Sequence, residues 1–281
     1  MTAPRAFILG YPVGHSRSPM LHGYWLRTLG LPGSYGLADV APDALPGFFA
    51  DWQRNGFTGG NVTVPHKVAV VPFLARIDAT ARAIGAVNTI WTEDGDLVGG
   101  NTDVGGFIAN LDHLAPGWDA GSRSAVVLGA GGAARAAAYG LLGRGMHVHL
   151  VNRTRENAQA LAEHFGAGVT THARVDLPEL MAEAGLLVNT TALGMLGKPL
   201  LEIDLAPLPQ RAVVYDIVYV PLYTPLLQQA AARGHRVVDG LGMLLHQAVP
   251  GFTRWFSAMP VVTDELRALV EADIRAKTPG A

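Results

Sequence analysis

A chain of 281 residues, 49% hydrophobic and 16% charged, can bury a sizeable core and is expected to form two domains, which excludes a disordered polymer. Its 21 basic and 23 acidic residues leave a net charge of −2 with no run of Lys or Arg, so no nucleic-acid partner is expected. With no cysteine there is no disulfide framework, thiolate metal site or thiol nucleophile, and no metal is assigned.

The first apolar segment, AFILG, reads as a strand, and Gly10, Pro12 and Gly14 break it too early for a secretory signal or a membrane span. A soluble, cytoplasmic protein with no membrane partner is the expectation. Ser18-Pro19 marks the start of a helix that runs to about Leu29 and stops at Gly30. If GHSRSP is extended, alternation puts Ser16 and Ser18 on one side and Arg17 on the other. Two hydroxyls aimed one way suit a small oxyanion, while Ser18 is equally suited to cap the helix that Pro19 opens. GGNVTVPHK reads as a strand closed by Pro65, with Lys67 directly behind it. Helical residues follow, and then GAVNTIWTEDGDLVGGNTD, a hairpin turning at Asp94-Gly95. Asp103 stands where it can cap a helix beginning VGGFIANL.

Near residue 104 the pattern changes to strand, glycine turn, Ala-rich helix, strand (MHVHLV), helix (ENAQALAEHF), two strands (GLLVNTTA and AVVYDIVY), helix and strand (HRVVDG). That is a βαβ series, hence a parallel sheet with helices on both faces. The last stretch, GLGMLLHQAVPGFTRWFSA and DELRALVEADIRA, is helical.

Gly129, Gly131 and Ala134 in VVLGAGGAAR have the spacing of a dinucleotide fingerprint, with Ala130, Gly132 and Ala133 completing the turn. A tight turn without side chains lets a pyrophosphate reach backbone N–H groups at a helix N-terminus; the plain alternative is a turn that binds nothing. Asn152, Arg153, Thr154 and Arg155 follow the next strand, with no acid before Glu156. An acid there serves the ribose hydroxyls of NAD, and an arginine serves a 2′-phosphate, so NADP is the expected cofactor. An ordinary surface arginine is the other reading of Arg153. VNTTALGM ends a strand at the carboxyl edge of the sheet, which makes Thr191 and Met195 candidates for the nicotinamide half. Gly240 and Met243 in DGLGML join them, core packing being the alternative for both methionines.

Taken together and in order, GHSRSP, GGNVTVPHK, GAVNTI, NTDVGG, VLGAGGAAR, NRT, VNTTALGM, DIVY and DGLGMLLHQA resemble the shikimate dehydrogenase family across nearly the whole chain. The resemblance implies NADPH-dependent reduction of 3-dehydroshikimate to shikimate, in the route to chorismate and the aromatic amino acids. It implies an open α/β substrate domain (1–103, completed by C-terminal helices at 241–281) and a Rossmann domain (104–240), in a monomer or homodimer. By the same resemblance Ser16, Ser18 and Tyr219 hold the substrate carboxylate, and Thr63, Lys67, Asn88, Asp103 and Gln247 contact the ring hydroxyls. Lys67 is the acid/base and Asp103 its partner. Neutral Asn, Gln and Thr suit a cyclohexene polyol, which offers both donors and acceptors. Hydride reduction of a ketone leaves a developing alkoxide that an ammonium can protonate. The family often has a second basic residue where this chain has Asn157, a place Arg155 can fill. Two rival readings are a quinate/shikimate dehydrogenase using NAD, marked by an acid in place of Asn152-Arg153, and a non-catalytic NADP-binding regulator, marked by loss of Lys67 or Asp103.

Overall fold

The computed structural model describes residues 3–278, which divide into two compact units: 3–103 with 247–270, and 104–246 with 271–278. Residues 241–246 and 271–278, expected with the first domain, thus group with the second unit, while the rest of that expected segment, 279–281, lies outside the described residues. The change of unit falls inside continuous helices, α10 (Leu241–Phe256) and α11 (Asp264–Lys277), where no composition break marks it.

The first unit contains β1 (Arg5–Gly10), α1 (Ser18–Thr28), β2 (Ser34–Asp39), α2 (Leu45–Ala50), α3 (Trp52–Asn55), β3 (Gly59–Val62), β4 (Arg76–Ile77), α4 (Ala79–Ile84), β5 (Thr89–Glu93) and β6 (Asp96–Gly100). Its sheet runs β2-β1-β3-β5-β6-β4. β1 has a parallel neighbour on each side, and its continuous apolar run is what a strand covered on both faces requires. β5 pairs antiparallel with β3 and β6, so the sheet is mixed. The β5–β6 turn has φ of 54° at Asp94 and 86° at Gly95, positive at both central positions, as the Asp-Gly hairpin demands. Phe7, Leu9, Phe49, Trp52, Val62 and Ile90 form one core. The C-terminal half of α10 supplies Phe252 and Trp255, and the Trp255 indole donates to the Ile90 carbonyl at 2.9 Å.

α5 (Asp103–Leu114) leads into β7 (Ser124–Leu128), α6 (Gly132–Gly143), β8 (His147–Val151), α7 (Arg155–Phe165), β9 (Val169–His172), α8 (Leu177–Glu183), β10 (Leu186–Asn189), β11 (Val213–Asp216), α9 (Pro225–Ala232) and β12 (Arg236–Val238). The sheet order is β12-β11-β10-β7-β8-β9, every pairing parallel. This is the doubly wound dinucleotide order, and the direction of winding reverses between β7 and β10, where ligands of such sheets collect. The alanines of α6 are small enough to bury against β7 and β8: Ala134, Ala136, Ala137 and Ala138 are all within the core. Among the described residues no helix is long and apolar enough to cross a membrane.

Candidate active site

In the first unit, the loops after β3 and β6 bring a cation and a carboxylate together. Lys67 Nζ donates to Asp103 Oδ2 at 2.6 Å, with the lysine side chain 27% exposed and the aspartate 12%. Asp103 is the first residue of α5, and its backbone N–H donates to Asn101 Oδ1 at 2.9 Å. Its other oxygen, Oδ1, accepts from Asn88 Nδ2 at 2.8 Å. The orientation of that amide is set by the backbone: the Thr102 N–H needs an acceptor and finds Asn88 Oδ1 at 2.8 Å, which leaves Nδ2 facing the carboxylate. Gln247 Oε1, from α10, lies 3.3 Å from the same Nδ2, and the Thr89 hydroxyl donates to Asn88 Oδ1 at 2.9 Å. Asn88 is 2% exposed, so these bonds form away from water and fix one geometry. Thr63 follows β3, partly exposed, its backbone N–H on the Leu9 carbonyl at 2.8 Å.

In the second unit, β7 ends in a glycine turn into α6. Gly129 has φ of +114°, and a Cβ there would lie 2.6 Å from Thr190 Oγ1, so the position requires glycine. Gly131 is the N-cap of α6 with no side-chain cap, and a Cβ at Gly131 or Gly132 would meet nothing within 4 Å. The helix end is thus open for an anion to approach its N–H groups. Beside it lies a cavity of about 830 Å³, lined by Gly129, Asn152, Arg153, Thr154, Arg155 and Thr191 among others. Asn152 Nδ2 donates to the Thr154 carbonyl at 2.7 Å, which shapes the turn, and Thr154 is the N-cap of α7 without a side-chain cap bond. An open helix end next to arginines fits a dinucleotide with an additional phosphate.

Comparison with known proteins accounts for both parts. Residues 8–90 match the family model for the shikimate dehydrogenase substrate binding domain, and residues 115–202 match that for shikimate / quinate 5-dehydrogenase. The chain is 58% identical to shikimate dehydrogenase (NADP(+)) of Mesorhizobium japonicum, over 96% of each chain. It is 56% identical to the protein of that name from Methylocella silvestris, over 97% of each. Among solved structures, shikimate 5-dehydrogenase from Thermus thermophilus in complex with NADP(H) and shikimate superposes with a TM-score of 0.83 at 37% identity, covering 97% of this chain and 99% of that one.

The chain belongs to the shikimate dehydrogenase family.

Of the residues that the family resemblance points to, the structure gathers Lys67, Asn88, Asp103 and Gln247 into one hydrogen-bonded cluster. It gathers Gly129, Asn152, Arg153, Thr154, Arg155 and Thr191 around the cavity, with Ala130, Gly131, Gly132 and Ala133 forming the turn and first residues of α6. Thr191 donates its hydroxyl to Asn189 Oδ1 at 2.7 Å. Met195 is 38% exposed and does not line the cavity. Gly240, Met243 and Tyr219 also lie elsewhere in the second unit. Gly240 is required by a close approach, since a Cβ there would lie 2.1 Å from the Ile217 carbonyl oxygen. Met243 packs against the core of that unit.

Two local readings change. GHSRSP is not extended: Arg17, at φ −91° and ψ −3°, is the helical N-cap of α1, so strict alternation does not apply. Ser18 is the first helical residue and buried; it does not cap, and its own N–H is taken by Ser16 Oγ at 3.2 Å. The carboxylate of Asp103 bonds to Lys67 and Asn88, and Asn101 takes the N–H at the start of α5. Sequence reasoning missed Arg174 and Lys198, both lining the cavity. The only signal for Arg174 is its place just after β9, a four-residue strand, VTTH, too polar and short to stand out.

Proposed function

We propose that the protein catalyses the NADPH-dependent, reversible reduction of 3-dehydroshikimate to shikimate, the reaction its close relatives are named for. The observation that carries this reading is the Lys67–Asp103–Asn88 arrangement, with Lys67 Nζ 2.6 Å from a carboxylate that is itself held on its second oxygen. NADPH, when bound, supplies the hydride. The ketone oxygen then gains negative charge, and Lys67 donates an Nζ–H to it as general acid; in the direction of alcohol oxidation the neutral amine takes the proton back. Asp103 orients the ammonium through Oδ2 and Asn88 prevents the carboxylate from turning. Thr63, Asn88 and Gln247 match ring hydroxyls as donors or acceptors without adding charge. Ser16 and Ser18 are assigned to the substrate carboxylate.

Arg153 and the lack of an acid at the end of β8 support NADP over NAD, and retention of both Lys67 and Asp103 argues against a non-catalytic regulator. The working form is assigned as a cytoplasmic monomer or homodimer, which size-exclusion chromatography with light scattering distinguishes. The deciding experiment is a spectrophotometric assay of purified protein with shikimate or quinate against NADP and NAD. Turnover of shikimate with NADP, well above every other pair, is the expected result. Equal use of NAD, or preference for quinate, rejects the assignment.

A further inference from the structure

The cavity beside the glycine turn carries more positive charge than one arginine supplies. Arg153, Arg155, Arg174 and Lys198 line it, against one carboxylate, Glu202. None of the four cations forms an ion pair among the described residues. Cations left unpaired around a concave site call for an anion from outside, and a phosphate monoester at neutral pH carries roughly 1.5 to 2 negative charges, more than a single guanidinium balances. Asn157, also on the wall, is neutral and adds nothing to that balance.

The sheet register sets Arg174 level with Arg153. β8 and β9 pair in parallel with Val151 opposite His172, so Arg153 and Arg174 each stand two residues past the last paired position of adjacent strands. Arg174 opens a 3₁₀ turn, and its Nη2 donates to the Glu202 carbonyl, another residue of the cavity wall. That bond uses one of five guanidinium N–H groups and holds the fork in place, leaving the others for a ligand at little further entropic cost. Lys198 has no such side-chain anchor among the described residues and lacks the planar geometry that phosphate oxygens accept in pairs.

We propose that Arg174 is the second cation of the 2′-phosphate site, acting with Arg153 to distinguish NADP from NAD. The proposal rests on Arg153 facing that phosphate, and the controls separate the two ideas. Isothermal titration of the full-length protein with 2′,5′-ADP and with 5′-ADP isolates the phosphate from the nicotinamide and from turnover. The variant Arg174→Gln removes the charge and, with a shorter side chain, also gives up the Glu202 carbonyl, so 5′-ADP binding is the control for any change in the wall itself. This variant should bind 2′,5′-ADP about ten- to a hundredfold more weakly, the loss of one charge-assisted contact, and bind 5′-ADP as the parent does. The salt dependence of 2′,5′-ADP binding should become shallower, while Arg174→Lys should recover part of the affinity. The proposal is overturned if Arg174→Gln leaves 2′,5′-ADP binding unchanged, or weakens both nucleotides equally, which would make Arg174 a contact for the shared adenosine or a support for the fold. If Arg153→Ala weakens 2′,5′-ADP and Arg174→Gln does not, only this proposal fails. If neither does, the assignment of the cavity to the 2′-phosphate fails as well.

Discussion

Lys67 Nζ stands 2.6 Å from Asp103 Oδ2, and the remaining carboxylate oxygen is occupied by the Asn88 amide. Such a carboxylate orients the ammonium without being free to rotate towards solvent. Lys67→Ala should therefore lower turnover by about two to four orders of magnitude, the usual effect of losing a positioned acid/base, while the Kd for NADPH stays as it was. Near-normal shikimate turnover in this variant would remove Lys67 from the mechanism.

Asn88 is expected to matter for stability as well as rate. Replacing it with Ala takes the acceptor from the Thr102 N–H and the donor from Asp103 Oδ1 in a buried setting. Each buried polar group left unpaired costs about 1–3 kcal/mol. Thermal unfolding of Asn88→Ala should show that loss together with reduced kcat. Identical melting curves for Asn88→Ala and the parent would contradict the buried network.

Which parts could be read from residues alone follows from how local their causes are. The Asp94-Gly95 turn and the strand–glycine–helix unit around Gly129 depend on backbone conformations that few residues adopt, so they are legible in the sequence. β2 and β9 are not: SYGLAD and VTTH lack a continuous apolar run, and their pairing energy comes from β1 and β8. The same holds within the site. Lys67 and Asp103 are singled out only by the family resemblance, and the amide that locks them is oriented by the Thr102 backbone N–H, which no spacing rule reveals. Arg174 is illegible for the same reason as the strand it follows.

The glycine turn separates two roles that one motif combines. Gly129→Ala forces a side chain into a left-handed backbone and against Thr190, so it should destabilise the protein by about 1–3 kcal/mol before any cofactor is considered. Gly131 has φ of −87° and open space where a Cβ would go, so Gly131→Ala should melt like the parent. Its methyl would instead stand where a pyrophosphate approaches the helix end, and NADPH affinity should fall. A Gly131→Ala protein that binds NADPH normally would show that the phosphate does not come to this turn.

His22 gives the fold a pH dependence unrelated to catalysis. The ring is fully buried, stacked on Tyr35 with centroids 4.0 Å apart and flanked by Trp25, Phe252 and Trp255, and neither ring nitrogen has a hydrogen-bond partner among the described residues. Burial disfavours the imidazolium and, outweighing the opposing pull of the nearby Asn61 side chain, which lies outside hydrogen-bond geometry, pushes its pKa down to about 3. Below pH 6.5 the unfolded chain therefore takes up a proton at this position that the folded chain refuses, and stability falls as the pH is lowered from 6.5 towards 3. Asp216, buried in the second unit and pushed up to about 6, works in the opposite sense: its contribution is present below its ordinary value of 3.8 and is lost as the pH rises through 6. The pH profile of the parent alone thus mixes two opposing slopes. Comparison with His22→Phe, which keeps an aromatic ring in the stack, cancels the Asp216 contribution because the two groups are distant in sequence and share no bond. Between pH 7 and pH 5 the parent should lose about 2 kcal/mol more than His22→Phe, one proton over roughly 1.5 pH units, in urea midpoints measured at both pH values. Parallel losses in the two proteins would mean that His22 is protonated in the folded state, contrary to its surroundings.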